Sequence, residues 1–339
     1  RGSNVVPISG DNAEFTGWLD MESSTVELSN NNALGSAITN IDVGEVPDAN
    51  VISDGGTLTV ASGVTLAELI VRGDLTLGSD IKTEGSQIYY DDLVLSPSGS
   101  AVTLDTITLH STDGHLSLLG KVDSSVDKEY SLHLITEDAD KIITLGDSVG
   151  EGAGVDDYKR LHTLTVDAGR RQTGTALGLA TYEYDGKIYL LADVLTSNEQ
   201  AYNGAVWVGN NGDNGFLYDY FQDKVVDPTV GLVYKDYFDR DTTGKPVDLN
   251  IKLYLNDRLY ARTLISEDPK VTFNGSVNDL NQNTHTLLVA AIAPADLLVE
   301  PQIVFNGAVG DESALYGLGV ASIRTLQDDT AAFAGGVTV

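Results

Sequence analysis

The sequence predicts an all-β protein wound as a solenoid of short strands, and three observations favour this fold class. A stretch containing Gln87 and Tyr89 recurs 113 positions later around Gln200 and Tyr202. Apolar residues stand two apart, as in Leu58-x-Val60, which places both on one face of a strand. No segment has the period of an amphipathic helix. Short strands repeated at this density are typical of stacked repeat architectures.

Two long copies make up most of the chain, one at about residues 80–169 and one at about residues 193–329. Within them, residues 116–122 match 271–277, residues 143–150 match 303–310 and residues 161–166 match 315–320. Because the coils of a solenoid stack on one continuous core, we predict that the matched apolar residues point inward. The predicted inward pairs are Leu93 with Val206, Leu118 with Phe273, and Leu145 with Phe305.

A shorter unit lies inside the long copies and consists of a bulky residue, a small or polar residue, Gly, any residue and Val. It begins at Tyr202, Phe273, Phe305 and Phe333. The last of these is expected to open a third copy at about residue 330, so we interpret the chain as part of a longer array. Arg1-Gly2-Ser3 resembles a remnant of an expression vector.

The other segments have their own predicted roles. Residues 1–54 are interpreted as N-terminal lead-in or capping coils, and residues 55–339 as the repeats. Residues 209–266 form an insertion within the second copy, with a hairpin predicted around Asn256-Asp257. A second hairpin is predicted around Asp185-Gly186, a pair that suits a type I′ turn. An antiparallel β-sandwich is the alternative fold, but it gives no reason for the short unit to recur within one copy.

Composition limits the classes of partner. The chain has 50 acidic and 20 basic residues, a net charge of −30, and this argues against nucleic acid and anionic membranes as partners. A hydrophobic share of 42% is that of a folded protein. No apolar run approaches the roughly 20 residues that span a bilayer, so no membrane insertion is expected. The absence of cysteine excludes disulfides and fits a large exported bacterial protein.

The short units resemble the repeats of filamentous-haemagglutinin-like bacterial exoproteins, which are large adhesins with β-strand repeats. The resemblance rests on three segments and covers roughly residues 55–339 without the insertion. It implies a right-handed parallel β-helix, export to the cell surface or the extracellular space, and a role in attachment or biofilm. The segments are Gln200-x-Tyr202-Asn203-Gly204-Ala205-Val206, Val271-x-Phe273-Asn274-Gly275-x-Val277 and Ile303-x-Phe305-Asn306-Gly307-Ala308-Val309-Gly310.

The insertion contains the candidate binding and metal-ligating residues. Its aromatic side chains are candidates for recognition of a glycan or protein, or for a small satellite core that pins the insertion to the solenoid. Its acidic loops supply the oxygen ligands that Ca²⁺ requires, although solvated turns are the alternative, and no other cofactor is predicted. The aromatic candidates are Tyr218, Tyr220, Phe221, Tyr234, Tyr237 and Phe238. The possible calcium ligands are Asp213, Asp236, Asp239 and Asp241.

Three other motifs favour structural over functional interpretations. Gly146-Asp147-Ser148-Val149-Gly150 matches a serine-hydrolase nucleophile elbow, but the matching stretch of the second copy has Ala308 at the serine position. Arg72-Gly73-Asp74 is the tripeptide that integrins recognise, and its Gly also suits a simple turn. The five histidines have no metalloprotease spacing, and His133 is predicted to point outward from a strand.

The sequence therefore predicts a stalk segment of a secreted bacterial adhesin without catalytic activity. Its expected partners are a host or matrix glycan or protein and neighbouring repeats of the same chain. The alternatives are a polysaccharide-acting β-helix lyase or hydrolase, and a self-associating surface-layer or matrix component.

Overall fold

The computed structural model describes residues 5–15, 18–21, 23–35, 51–97, 106–125, 129–150, 160–176, 178–209, 226–227, 231–234, 249–251, 260–266, 270–293, 302–325, 331–333 and 337–338. These residues form strands, turns and irregular segments, and none of them lies in a helix. The prediction of an all-β chain is confirmed.

The described strands are short, and most contain two to six residues. The first sixteen are β1 (Val5–Ile8), β2 (Leu19–Asp20), β3 (Thr25–Leu28), β4 (Val51–Ile52), β5 (Gly56–Val60), β6 (Leu69–Arg72), β7 (Leu75–Leu77), β8 (Ile81–Thr83), β9 (Gln87–Tyr89), β10 (Leu93–Leu95), β11 (Thr106–Ser111), β12 (Leu116–Leu118), β13 (Val122–Ser124), β14 (Ser131–Thr136), β15 (Ile142–Leu145) and β16 (Leu164–Asp167). The others are β17 (Arg170–Ala176), β18 (Leu179–Tyr184), β19 (Lys187–Leu190), β20 (Val194–Thr196), β21 (Gln200–Asn203), β22 (Ala205–Val208), β23 (Val226–Asp227), β24 (Gly231–Tyr234), β25 (Leu249–Ile251), β26 (Tyr260–Ser266), β27 (Lys270–Phe273), β28 (Val277–Asp279), β29 (His285–Ala293), β30 (Gln302–Phe305), β31 (Gly317–Thr325), β32 (Ala331–Phe333) and β33 (Val337–Thr338).

Most strands belong to three long sheets. Sheet A has the order β1-β3-β5-β7-β10-β13 and continues, through single-residue bridges at Val149, into β20-β26-β29-β31-β32. Sheet B has the order β2-β4-β6-β9-β12-β15-β19-β22-β28, and sheet C has the order β8-β11-β14-β16-β21-β27-β30-β33. Neighbouring strands pair in parallel, apart from β31 with β32. This pairing excludes an antiparallel sandwich for the described strands.

The chain visits the three sheets in turn. From β8 onward the strands of these sheets follow the order C, B, A along the chain. Where the order lacks a strand, a single-residue bridge joins the sheet instead, at Val149 in sheet A and at Val309 in sheet B. Many strands of these sheets bury alternate residues, as β10 buries Leu93 and Leu95 but leaves Val94 half-buried. The inward side chains of all three sheets form one continuous hydrophobic core.

The two long copies of the sequence lie one sheet out of step. The segment that supplies β8 to sheet C in the first copy supplies β20 to sheet A in the second. The same shift separates β9 from β21 and β10 from β22. All six residues of the predicted inward pairs are buried, so that prediction is confirmed, although the members of each pair lie in different sheets.

Each copy builds the same buried polar box where one strand turns into the next. In the first copy the Tyr89 hydroxyl donates to Gln87 Oε1 at 3.1 Å, and Gln87 Nε2 donates to Thr83 Oγ1 at 3.3 Å. In the second copy Tyr202, Gln200 and Thr196 repeat these bonds at 3.0 and 3.2 Å. The box satisfies polar side chains that would otherwise be buried without partners.

An aromatic stack runs through sheet C at the start of each short unit. The ring centroids of Tyr202 and Phe273 lie 5.2 Å apart, and those of Phe273 and Phe305 lie 4.8 Å apart. The stacked rings are inclined by 12° and 3° respectively. These separations match the spacing between neighbouring strands, about 4.7 to 4.9 Å, so the rings add contact without disturbing the sheet.

The Asn and Gly at the second and third positions of the unit each make a contact that needs that residue type. Asn274 Nδ2 donates to Asn203 Oδ1 at 2.5 Å, and Asn306 Nδ2 donates to Asn274 Oδ1 at 2.6 Å, which forms an asparagine ladder across the ends of β21, β27 and β30. A Cβ on Gly275 would lie 2.1 Å from the carbonyl oxygen of Gly204. Only glycine therefore permits this approach of successive turns.

The fourth unit does not continue the stack. Ala331–Phe333 pairs antiparallel with the end of β31, and Val337 lies opposite Ile303. Phe333 is therefore not in register with Phe305, contrary to what the repeat of the unit predicts.

Both predicted hairpins are wrong in their pairing. Leu249–Ile251 pairs with Gly231–Tyr234 in a small three-stranded antiparallel sheet, while Tyr260–Ser266 joins sheet A between β20 and β29. The other hairpin is formed by β17 and β18, and Asp185-Gly186 instead connects it to β19. Apolar alternation predicts a strand but not its neighbour, because strands of a parallel stack pair with distant segments.

Substitution of Phe273 tests the aromatic stack. Phe273→Ala should lower the free energy of unfolding by about 3 to 5 kcal/mol, because it removes a buried ring with a stacking partner on each side. The control Phe273→Leu keeps most of the volume and should cost less than about 1.5 kcal/mol. Urea denaturation followed by tryptophan fluorescence measures both, and a loss below about 1 kcal/mol for Phe273→Ala would contradict a contribution of the stacked ring to stability.

The buried boxes predict sensitivity to alkali. Burial raises the pKa of Tyr89 and Tyr202, so the unfolded chain releases these protons first. The stability that the two hydroxyls contribute is complete below about pH 10 and declines as the pH rises further. Replacing both residues with Phe should flatten this decline, at a loss of about 1 to 3 kcal/mol per unpaired Gln acceptor at neutral pH.

The measurement is the urea midpoint between about pH 8 and pH 11, which brackets the ordinary tyrosine pKa. The control is Tyr182→Phe on β18, because Tyr182 is 40% exposed. If the urea midpoint of the double variant fell with rising pH as steeply as that of the parent chain, the two buried hydroxyls would not be the source of the alkaline sensitivity.

Candidate functional sites

The insertion candidates lie almost wholly outside the described residues. Only the backbone of Tyr234 is described, at the end of β24. Five aromatic candidates and all four acidic candidates, which are Tyr218, Tyr220, Phe221, Tyr237, Phe238, Asp213, Asp236, Asp239 and Asp241, are outside those residues. The predicted binding and calcium sites therefore stay predictions.

The Arg72-Gly73-Asp74 tripeptide forms the turn from β6 to β7. Gly73 has φ +83°, and a Cβ there would lie 1.9 Å from the carbonyl oxygen of Ser53. The Arg72 guanidinium lies 4.1 Å from the centre of the Tyr90 ring. The glycine is thus required by the turn, and the arginine packs along the sheet rather than standing clear of it.

Ser148 lies in a turn between β15 and Val149 of sheet A. Its side chain is buried, and its Oγ lies 3.4 Å from Asp147 Oδ1, while Asp147 Oδ1 accepts the backbone N–H of Ser148 at 2.6 Å. Ser148 Oγ has no hydrogen bond to a described histidine. The contacts of this turn give no support to a serine nucleophile.

Another serine does contact a histidine, at the turn after β20. His162 Nδ1 lies 3.2 Å from Ser197 Oγ, and Asn198 Nδ2 lies 3.3 Å from His162 Nε2. The amide orientation of Asn198 is fixed because its Oδ1 accepts the backbone N–H of Glu199. Asn198 therefore donates to Nε2, which leaves the proton of the neutral imidazole on Nδ1.

These directions make His162 a donor to Ser197 rather than its base. The Ser197 hydroxyl donates to Glu129 Oε2, and Glu129 also accepts from Arg160 Nε at 2.7 Å. A nucleophilic serine must donate its hydroxyl proton to a base, and a histidine can accept it only at a ring nitrogen that carries no hydrogen. The cluster instead ties neighbouring turns together by charge-assisted hydrogen bonds.

The remaining histidines also have structural partners. His133 is partly exposed, as predicted, and its Nε2 lies 3.0 Å from Asp167 Oδ2. His285 and Asp279 form a buried pair, with Nδ1 2.5 Å from Oδ1. Burial lowers the pKa of His110 although Glu137 lies 2.8 Å away. Among the described residues no three His, Cys, Asp or Glu side chains are grouped closely enough to hold a metal ion.

The outer face of sheet B carries a group of eight outward apolar side chains, which we call the sheet B strip together with the positions among them. It consists of two rows of outward positions on the seven strands β6, β9, β12, β15, β19, β22 and β28. The apolar members of the first row are Ile70, Ile88, Tyr189 and Trp207. Those of the second row are Tyr90, Leu119, Leu191 and Leu280. The other positions of the two rows are Arg72, Ser117, Thr144, Gly146, Gly209 and Asn278, of which Asn278 is buried and accepts the backbone N–H groups of Glu312 and Ser313.

No position in either row is Asp or Glu, although the chain has 50 acidic residues. Two apolar runs in the sequence are a signal for this strip, because they lack the alternation of a strand with one solvent-exposed face. Runs such as Ile188-Tyr189-Leu190-Leu191 and Val206-Trp207-Val208 are apolar throughout. An uninterrupted apolar run indicates a strand that contacts apolar material on both faces.

Comparisons with known proteins do not assign the chain to a family. No protein-family profile, curated protein or solved structure matches it. The described residues include no helix able to cross a membrane. The resemblance to filamentous-haemagglutinin-like exoproteins thus depends on the repeat units.

Excision of the insertion tests how it is attached. Removing residues 210–259 should leave the melting temperature near that of the parent chain, because Tyr260–Ser266 keeps its pairing with β20 and β29. Removing residues 210–266 deletes a strand of sheet A and should lower the melting temperature by several degrees, since a kcal/mol shifts it by about 2 to 4 °C in a chain of this size. Circular dichroism during heating measures the melting temperatures of the two deletion variants, and equal values would contradict the role of β26.

Proposed function

We propose that this chain is a stalk segment of a large secreted bacterial surface adhesin and that its three sheets are the faces of one right-handed parallel β-helix. The observation that carries the proposal is the shift of one sheet between the two long copies. A sequence can serve sheet C once and sheet A the next time only if the faces offer nearly the same environment. Three equivalent faces around one core are the geometry of a triangular solenoid.

Such a solenoid suits a stalk because its length grows with the number of coils. Each coil adds about 4.8 Å along the axis, and the eight strands of sheet C extend over roughly 34 Å. Stacked parallel strands leave no unpaired backbone groups except at the ends. A net charge of −30 keeps such rods soluble and apart from acidic surfaces.

The described side chains favour this role over that of a polysaccharide-acting enzyme. The buried boxes, the aromatic stack and the asparagine ladder all hold one coil to the next. The contact between Ser197 and His162 has the wrong hydrogen-bond direction for nucleophilic catalysis. Regularity of this kind stabilises a scaffold, and function resides at sites attached to it.

The proposal is tested with the intact chain in two assays. Incubation with plant, algal and bacterial polysaccharides should release no reducing ends and no unsaturated uronates, and turnover of any of them would overturn the proposal. Small-angle X-ray scattering should give the profile of a rod whose cross-section is constant.

The adhesive role needs a separate measurement. Beads carrying the intact chain should bind host cells or biofilm matrix more strongly than beads carrying the chain without residues 210–259, because large insertions on one side of a repeat array often hold the binding site. Equal binding by both kinds of bead would remove the insertion as the adhesive element.

A further inference from the structure

Two glycines of the sheet B strip lie beneath neighbouring leucine side chains. A Cβ on Gly209 would lie 2.6 Å from Leu191 Cδ2 and 2.9 Å from Leu280 Cδ2. A Cβ on Gly146 would lie 3.2 Å from Leu119 Cδ2. The leucine side chains therefore lie across the glycine backbone and cover it with apolar atoms. Leu119 and Leu280 remain 36% and 37% exposed on it.

The aromatic rings of the strip turn their faces along the sheet. The Arg72 guanidinium lies 4.1 Å from the Tyr90 ring centre, and Lys187 Nζ lies 5.3 Å from that of Trp207. Each cation comes from the adjacent strand, so it occupies a ring face that points toward that strand. Sugars stack on exposed ring faces, so this arrangement suits a protein surface better than a glycan.

The charge of the strip is consistent with a second copy of this chain as the occupant. The chain has a net charge of −30, and two copies repel each other wherever their carboxylates meet. The strip has no carboxylate, and the cations of Arg72 and Lys187 lie within or beside it. Exposed acids stand close by at the corner, at Asp91 and Asp92. An identical strip turned to face this one therefore brings apolar side chains together without bringing carboxylates together.

The spacing of the strip also fits a second copy. Its rows repeat with the distance between strands, about 4.8 Å, and its two rows lie about 7 Å apart. An identical strip has the same two periods, so the side chains of the two faces can interdigitate over their whole length, as they do between packed sheets.

The area of the strip predicts the strength of the contact. Seven strands extend over about 29 Å, and two rows of side chains cover a width of about 12 Å, which gives roughly 350 Å². A standard stable interface buries about 800 Å² on each partner. One strip therefore supports a weak contact, which repetition along a longer array would strengthen.

We propose that the outer face of sheet B is a lateral association surface through which two copies of this chain pack side by side. The proposal goes beyond adhesion, because association of rods requires neither a host ligand nor the insertion. It assigns a role to the outward residues of sheet B that the internal stack does not use.

Sedimentation velocity on the intact chain tests the association. The weight-average mass should rise toward twice the monomer mass as the concentration increases to about 1 mM. Raising the salt from about 50 mM to 500 mM should strengthen association several-fold, because it screens the repulsion between like-charged copies. A chain that stays monomeric under all these conditions overturns the proposal, as does association that weakens with salt.

Charge substitutions locate the contact. The double variant Leu119→Glu with Leu280→Glu should raise the dissociation constant at least tenfold while the melting temperature stays near that of the parent chain. The control, Thr57→Glu with Thr165→Glu, places the same charges on half-buried outer positions of sheets A and C. It should leave the dissociation constant of the sheet B contact near that of the parent chain. An equal effect of both pairs overturns the proposal.

A cysteine experiment gives an answer that does not depend on stability. The chain has no cysteine, so Leu119→Cys introduces a single thiol on the strip. Two copies facing each other should form a disulfide-linked dimer in the presence of diamide, which accepts the two hydrogens. Thr57→Cys on sheet A should remain monomeric under the same treatment. Equal cross-linking of both variants, or loss of the Leu119→Cys dimer, shows that another face or partner is used.

Discussion

The structure depends on one constraint, which is that every residue of a parallel stack lies about 4.8 Å from its counterpart in the neighbouring strand. A side chain must therefore tolerate a similar neighbour on each side. The unit at Phe273, Asn274 and Gly275 meets this demand at three successive positions. Rings stack, amides donate to the next amide, and glycine permits backbone contact where a Cβ would lie 2.1 Å from an oxygen. These contacts fix the register of sheet C, and the core follows from that register.

The same constraint governs how polar groups are buried. Gln87 and Gln200 lie in different sheets, yet each makes the same hydrogen bonds to a Tyr and a Thr of its own turn. The residues of each box are close together in the sequence, so the same hydrogen bonds form whichever sheet the segment joins. Asp167 is buried for a related reason, since it accepts from Asn203 at one end of the asparagine ladder.

Interior order leaves the outer faces free to differ. The hydrogen bonds of His133 and His162 join residues more than 30 positions apart, and His285 bonds Asp279 six residues earlier, so these three histidines hold the scaffold together. The sheet B strip does not contribute to the interior in this way, because its leucines and aromatic rings face outward from the strands. The largest apolar patch of a monomeric protein is often functional even at a few hundred Å², and the lack of carboxylates among the residues of this strip favours a protein contact.

The sequence by itself determined the repeat, the all-β class and the inward positions, because burial of alternate residues leaves a period of two that can be read directly. It also identified Phe273 and Phe305 as core residues. Only the tertiary structure decided which strands pair, that the copies lie one sheet out of step, and that Tyr260–Ser266 belongs to sheet A rather than to a hairpin. The pairing of strands in sheet B also decided that Leu119 and Leu280 lie on the same outer face. Neighbours in a parallel stack are a whole coil apart along the chain, and local sequence carries no record of the turn lengths that bring them together.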